Sequence, residues 1–287
     1  MEAEILKIYK PKLIQVLKEF ISICTIHNLN YFCCGGTALG AVRHNGIIPW
    51  DDDIDIIMPR PDYDKFLALF ESDDYVLITP ENTNSYYLPY SKMSLKNSTL
   101  IEKRGILCNV GIFIDIFPLD GISKNENNQL QDLKQFYKIA NKIHRQPKQF
   151  KNNILDGVKS LKNRQIRSFW LELSLAFNKK AKRKKIISSL RDCMLKYDYA
   201  IAEYVSNYAG MWGIRECCPK IWFEKFTEYE FEGILVRLPA EPHHYLTRLY
   251  GNYMELPPVE KRTSHHVFAY INLEKRLTIE EIKALKL

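Results

Sequence analysis

At 287 residues, with 46% hydrophobic and 26% charged side chains, the chain is long enough for one large domain, or one domain with a helical annex, and has the composition of a globular protein. It has no run of about 18 uninterrupted apolar residues, which argues against a membrane span, and Met1-Glu2-Ala3-Glu4 puts acids where a signal peptide carries positive charge. The net charge of +7 is concentrated: between Lys142 and Arg191, 15 Lys and Arg stand against two acids, a local +13 that leaves −6 for the rest.

Leu6, Tyr9, Leu13, Val16, Leu17, Phe20, Ile23 and Cys24 recur every three or four residues and predict an amphipathic helix over 3–27, interrupted at Pro11 or starting there. Tyr31-Phe32-Cys33-Cys34 reads as a short buried strand entering a Gly35-Gly36 turn. Thr37 is expected to cap the next helix, whose free N–H groups can meet a phosphate. Arg43 and His44 end that helix. Arg43 can pair with the acids that follow or grip a phosphate, and His44 is read as structural. Asp51-Asp52-Asp53-Ile54-Asp55 then places four carboxylates in five residues. Such crowding raises each group's pKa and calls for solvent or a cation. If 53–58 is a strand, Asp53 and Asp55 share one face and Ile54 and Ile56 the other, with Asp51 joining the acids if the strand begins early. Beside an apolar strand, Mg2+ or Mn2+ is the ordinary counter-ion. An EF-hand calcium loop would need a glycine at its sixth position and a glutamate at its twelfth, and has neither here.

Pro59-Arg60-Pro61-Asp62 opens a helix with Tyr63, Phe66, Leu67 and Phe70 inward. Tyr75–Ile78 and Tyr90–Leu95 read as strands, with Lys92 a surface lysine if the second lies at an edge. In Val110–Gly121, Asp115 is flanked by Phe113-Ile114 and Ile116-Phe117, so a carboxylate there must be paired or metal-bound. Asp120, followed by Gly121, reads as a turn former. From 123 to 227 the chain turns polar, helical and basic: Ile166, Phe169, Trp170, Leu173 and Phe177 make one apolar face ahead of the Lys179–Lys185 run. That run is a solvated face, a contact for anionic lipid, or a contact for a phosphate-bearing acceptor. No nucleic-acid-binding motif accompanies it, so nucleic acid is not expected. Phe231–Val236 reads as a strand and the stretch through Tyr245, Leu246 and Leu249 as a helix. Lys261, Arg262, His265 and His266 are candidate contacts for donor or acceptor, or plain loop residues. Seven cysteines without C-x-x-C spacing indicate reduced thiols and a cytoplasmic chain.

Three stretches carry a resemblance. Gly36-Thr37, Leu39-Gly40-Ala41, Arg43-His44, Ile48-Pro49-Trp50-Asp51 and Asp53-Ile54-Asp55, in that order, resemble the signature of the LicD family of the nucleotidyltransferase superfamily. So does Ile114-Asp115-Ile116-Phe117-Pro118-Leu119-Asp120. So does Tyr250-Gly251-Asn252-Tyr253-Met254-Glu255-Leu256-Pro257-Pro258, with Asn252 where the family has aspartate. The likeness spans residues 1–122 and 228–270. It implies an α+β fold, a small mixed sheet flanked by helices, in which 1–122 is the catalytic core and 228–287 the segment that completes it; the basic helical insertion between them, 123–227, is read from its residues and is not explained by the resemblance.

The resemblance also implies a chemistry. Family members move a phospho-alcohol unit, phosphocholine or, in fukutin-related relatives, ribitol phosphate, from a cytidine diphosphate donor such as CDP-choline to a sugar hydroxyl of a surface glycan or its lipid-linked precursor. Carried onto this chain, Asp51, Asp53, Asp55 and Asp115 hold Mg2+ or Mn2+. Gly35, Gly36, Thr37, Arg43 and Lys92 hold phosphate. Asp53, Asp55 and Asp115 act in catalysis, Asp115 taking the acceptor's proton. The spacer from the glycine turn is longer than the superfamily pattern, so the principal ligands are either Asp51 and Asp53 or Asp53 and Asp55. No serine or cysteine nucleophile motif is present, which favours direct in-line transfer. The expected location is the cytoplasm, with peripheral contact at an anionic membrane. The competing expectations are nucleotidyl transfer with release of pyrophosphate, and a non-catalytic basic module that binds lipid or nucleic acid.

Overall fold

The fold is built around one strand. The structure, a computed structural model, describes residues 3–83, 85–102, 108–144, 183–264 and 266–285. The strands in chain order are β1 (Phe32–Cys33), β2 (Asp55–Pro59), β3 (Tyr75–Ile78), β4 (Ser91–Leu95), β5 (Thr99–Glu102), β6 (Phe113–Ile122), β7 (Tyr204–Ser206), β8 (Cys217–Pro219), β9 (Phe226–Phe231), β10 (Ile234–Pro239) and β11 (Phe268–Asn272). Every residue of β6 is buried, as its near-continuous apolar run demands of a strand covered on both faces. Its first half lies between β2, parallel with Asp55 beside Asp115, and β4, antiparallel with Lys92 beside Asp115. Its last three residues pair with β7, which carries β8. The result is a seven-stranded mixed sheet with the path β1-β2-β6-β4-β3, accompanied by a β9–β10 hairpin and a β5–β11 ribbon.

The helices are α1 (Ala3–Ile26), α2 (Gly35–His44), α3 (Arg60–Leu69), α4 (Glu126–His144), α5 (183–194), α6 (Pro242–Tyr250) and α7 (Ile279–Ala284). Tyr9, Leu13, Val16, Leu17 and Phe20 of α1 are fully buried, and Phe20 meets Tyr31 and Phe66 at ring distances of 5.3 and 5.1 Å. The helix is not interrupted at Pro11. Proline forfeits one backbone bond, but the apolar stripe on both sides of it is buried, and that packing keeps the helix whole. A second cluster, with Leu133 and Phe136 from α4, Leu190 and Met194 from α5, Ile122 and Tyr208, covers the far end of β6.

Three further expectations are corrected. Phe231–Val236 is not one strand: Glu232 and Gly233, both with positive φ, turn the chain between β9 and β10, the two-residue geometry that suits a hairpin's twist. Asp120 is no turn former. It is 1% exposed inside β6 and clamped by Arg60, with Nε to Oδ1 at 2.6 Å and Nη2 to Oδ2 at 2.7 Å. This bidentate pair ties α3 to the sheet. Nor is β4 an edge strand with a surface lysine, since it lies between β3 and β6 and Lys92 is wholly buried.

The apolar face of Ile166 to Phe177 and the lysines at 179, 180 and 182 lie outside the described residues. Arg183 opens α5 and donates to the carbonyls of Thr83 and Tyr86, while Lys184 and Lys185 are exposed. Among the described residues no helix is long and apolar enough to cross a membrane. All seven cysteines are free thiols.

Candidate active site

The glycine turn is shaped by the acids it faces. Gly35, at φ +53°, enters α2 from the extended Cys34. A Cβ on Gly35 would stand 3.2 Å from Asp55 Oδ2, and one on Gly36 would stand 2.5 Å from Asp51 Oδ2. A side chain at Gly36 would collide with Asp51, and one at Gly35 would crowd Asp55 at a backbone conformation that favours glycine. Thr37 does not cap the helix. It lies inside the first turn, where its hydroxyl accepts from the Asp55 amide at 2.8 Å and so fixes the start of β2. Cys34 is the cap residue, without a side-chain bond. The Gly35 amide donates to the Tyr245 hydroxyl at 3.3 Å, so it already has a partner. Gly36→Ala is expected to push Asp51 out of place and to lower turnover by about a hundredfold, the usual order for an ångström-scale displacement in a catalytic site. Circular dichroism should remain native, and turnover within a few-fold of wild type would show that Asp51 is not needed where it lies.

Adjacent strands set Asp55, Asp115 and Lys92 side by side. Lys92 Nζ lies 2.6 Å from Asp115 Oδ1, 3.8 Å from Glu102 Oε1, and 3.4 Å from the centre of the Phe113 ring. Asp51 and Asp53, in the extended stretch ahead of β2, hydrogen-bond to each other. Asp52 points elsewhere: Ser264 donates to its Oδ2, and its Oδ1 is 3.0 Å from His266 Nδ1. His266 also reaches Asp53 at 3.6 Å and Glu102 at 3.8 Å, and its ring stacks on Phe268. One imidazole thus links the acidic stretch to β5 and β11.

Burial pushes Asp51, Asp53, Asp55 and Asp115 upward. Asp53 rises to about 7, by desolvation first and the charge of Asp51 second. Asp55 stands well above the usual range through burial and the charges of Asp53 and Asp115. Asp51 is raised by burial, and so is Asp115, although Lys92 pulls against it. Burial disfavours the charged His266, yet its bond to Asp52 and the charge of Asp53 raise it above its ordinary value. Crowded, desolvated oxygen donors of this kind fit a hard divalent cation, which would supply the missing positive charge. Among the described residues, the group whose ligand atoms all lie within 4.8 Å of one another is Asp52, Asp53 and His266, a set that includes a nitrogen and, of the four expected ligands, only Asp53.

Arg43 lies elsewhere than beside the acids. Its Nη1 donates to the carbonyls of Tyr253, at 2.7 Å, and Glu255, at 3.3 Å, which anchors the segment after α6, and among the described residues it pairs with none of the acidic cluster. His44 packs edge-on against Trp50. Arg262 lies over the other partner of that contact, 5.4 Å from the Trp50 ring centre. Asn252 is exposed, and His265 lies outside the described residues. Sequence reasoning assigned no role to Asp52, Glu102, Ser264 or Tyr245. Only Asp52 carried a signal, because alternation along 51–55 sets it opposite its odd-numbered neighbours.

Known proteins resemble this sequence. The family model described as LicD/FKTN/FKRP, nucleotidyltransferase domain, matches residues 28–172, a stretch that holds β1 to β6 and runs on into the basic segment. The chain is 28% identical over 263 residues to the lipopolysaccharide cholinephosphotransferase LicD of Haemophilus influenzae, covering 88% of this chain and 93% of that protein. An uncharacterized protein of Rickettsia typhi is 33% identical over 132 residues, 45% of this chain and 40% of its own length. One of Rickettsia prowazekii is 41% identical over 68 residues, 23% and 26% respectively. The match spans half of the chain and contains the glycine turn, the acidic stretch, Lys92 and Asp115: the chain belongs to the LicD family.

Proposed function

We propose that the protein transfers a phosphocholine-type unit from a CDP-linked donor to a sugar hydroxyl of a lipopolysaccharide-like glycan or its precursor. The observation that carries this reading is the row Asp55–Asp115–Lys92 on three adjacent strands, set against the glycine turn and joined there by Asp51 and Asp53. Near full-length likeness to a cholinephosphotransferase supports the class of unit moved.

Asp51, Asp53 and Asp55 would hold Mg2+ or Mn2+, which neutralises the diphosphate and the charge that develops on the leaving group. The acceptor oxygen attacks the phosphorus that bears the alcohol, the diphosphate P–O bond breaks, and CMP leaves. Lys92 engages Oδ1 of Asp115 and so orients the carboxylate with Oδ2 free of that bond. Burial makes Asp115 more basic than a surface carboxylate, which suits Oδ2 to receive the acceptor's proton near neutral pH. The backbone at the start of α2 adds donors and a favourable dipole for phosphate. We place the reaction in the cytoplasm, where seven free thiols persist.

The test is 31P NMR of the protein with Mg2+, a sugar acceptor and a panel of CDP-alcohols, with a chelator control. CMP release from a CDP-alcohol that stops with chelator is the expected result. Pyrophosphate release from CTP would favour nucleotidyl transfer instead, and silence across the panel with no cytidine nucleotide bound would overturn the reading.

A further inference from the structure

The loop 207–216 and the end of α6 converge on the Asp55 side of the site in a way the transfer chemistry does not use. A Cβ placed on Gly35 would stand 3.8 Å from the Tyr250 hydroxyl and 3.2 Å from Asp55 Oδ2, so this phenol borders the reacting carboxylates. Trp212 meets the Tyr250 ring edge to face at 4.9 Å and hydrogen-bonds to its side chain. At 41% exposure, much of the indole remains open to solvent.

The third member is Glu216, 6% exposed. Its Oε1 accepts a long bond, 3.4 Å, from the Trp212 amide. The carboxylate occupies the space a Cβ on Gly210 would need, so only glycine there lets the loop close over it. Nearby cations are committed elsewhere: Arg215 donates to the Leu249 carbonyl, and Arg248 to those of Arg215 and Ile214. Among the described residues Glu216 has no ion pair. Burial pushes it up to about 7, and its charge opposes ionisation of Tyr250 and Tyr245. A buried carboxylate without a cation is a costly feature for a fold to keep.

We propose that Trp212, Tyr250 and Glu216 form a subsite for a quaternary ammonium group, which selects a choline-type unit among CDP-linked donors; this rests on the phosphotransfer reading above. Aromatic faces attract a cation through their quadrupole, and most strongly where the cation has shed water. Glu216 adds the charge that a desolvated ammonium needs, whereas a neutral polyol gains from neither. The Tyr250 hydroxyl borders Asp55, so a donor whose phosphorus is held at Asp55 would have its alcohol unit within reach of the aromatic pair.

The experiment is calorimetric binding of phosphocholine and glycerol phosphate to the full chain with Mg2+, in wild type, Trp212→Leu and Glu216→Gln, alongside CMP release from the two corresponding donors. Phosphocholine binding is expected to weaken about tenfold in each variant, and the choline-over-glycerol preference in CMP release to fall by a similar factor. Trp212 is on the surface, so its variant tests the subsite even if Glu216→Gln does not fold. Equal weakening for both ligands, or a wild type without preference for phosphocholine, overturns the subsite. CMP release from glycerol donor alone would do so while leaving phosphotransfer standing. Selective phosphocholine binding with no CMP from any donor keeps the subsite and removes the transfer.

Discussion

Asp53→Asn is expected to lower CMP release by about a thousandfold or more while the fold survives, on the order seen when a group that stabilises transition-state charge is removed. Asparagine keeps the shape and a hydrogen bond to Asp51 but not the charge, so a loss of turnover in a folded variant isolates the charge. The same substitution makes a prediction about stability with the opposite sign. The native Asp53 carboxyl, at about 7, holds its proton more tightly than the unfolded chain, where aspartate titrates near about 4. Between those values the folded state binds more protons, so stability falls as pH rises through the window. With chelator present, wild type should therefore lose melting temperature from about pH 4 to 7, and Asp53→Asn should lose less and melt higher at pH 7. Adding Mg2+ should raise the wild-type melting point by mass action and the variant's far less. Full activity in a well-folded Asp53→Asn would remove this residue from the mechanism, and a pH profile of stability identical to wild type would show that its burial carries no electrostatic cost.

The parts of the fold legible in the sequence are those where burial writes a local pattern. Phe113–Ile122 announces a two-faced strand by its apolar run, and α1 announces itself by spacing even though Pro11 argues for a break. What was not legible depends on partners far along the chain. Asp120 followed by glycine has the local chemistry of a turn, and only Arg60, sixty residues earlier and aimed inward from α3, makes it a strand residue. Thr37 has the local chemistry of a cap, yet the Asp55 amide takes its hydroxyl. Glu232-Gly233 hides inside an apolar run whose two halves pair with each other. In the site, the crowding of Asp51, Asp53 and Asp55 was plain from spacing, and the apolar flanks of Asp115 required a partner. That the partner is Lys92, and that His266 bridges Asp52 and Glu102, follow from strand order and from the return of β11, which no local window contains. The resemblance narrowed the chemistry but could not distinguish a lysine that touches donor phosphate from one that acts through a carboxylate.

Lys92→Met discriminates between those two roles. The Lys92–Asp115 pair is fully desolvated, with side-chain exposures of 0% and 4%. Removing one partner of such a pair leaves an unpaired buried charge and costs about 3–5 kcal/mol. The urea midpoint is expected to drop by about 1 M or more. Replacing both, as Lys92→Met with Asp115→Leu, should recover most of that loss, because apolar groups of similar volume substitute well for a buried pair, while activity stays absent. A single-variant loss below about 1 kcal/mol would mean that the pair is not charged in the native protein. Kinetics separate the roles. A lysine that grips donor phosphate in the ground state raises KM when lost, whereas one that orients Asp115 lowers kcat with KM little changed. Lys92 has no exposure from which to meet a donor directly, and its ammonium is enclosed by Asp115, Glu102 and the Phe113 face. The kcat effect is therefore the expected one. Lys92→Arg should not rescue it, since a planar fork cannot occupy a slot shaped for a compact ammonium. A loss of kcat would mean that the lysine works through Asp115, opposing the burial that drives that carboxyl upward, and that the row of three residues serves the proposed transfer rather than stability alone.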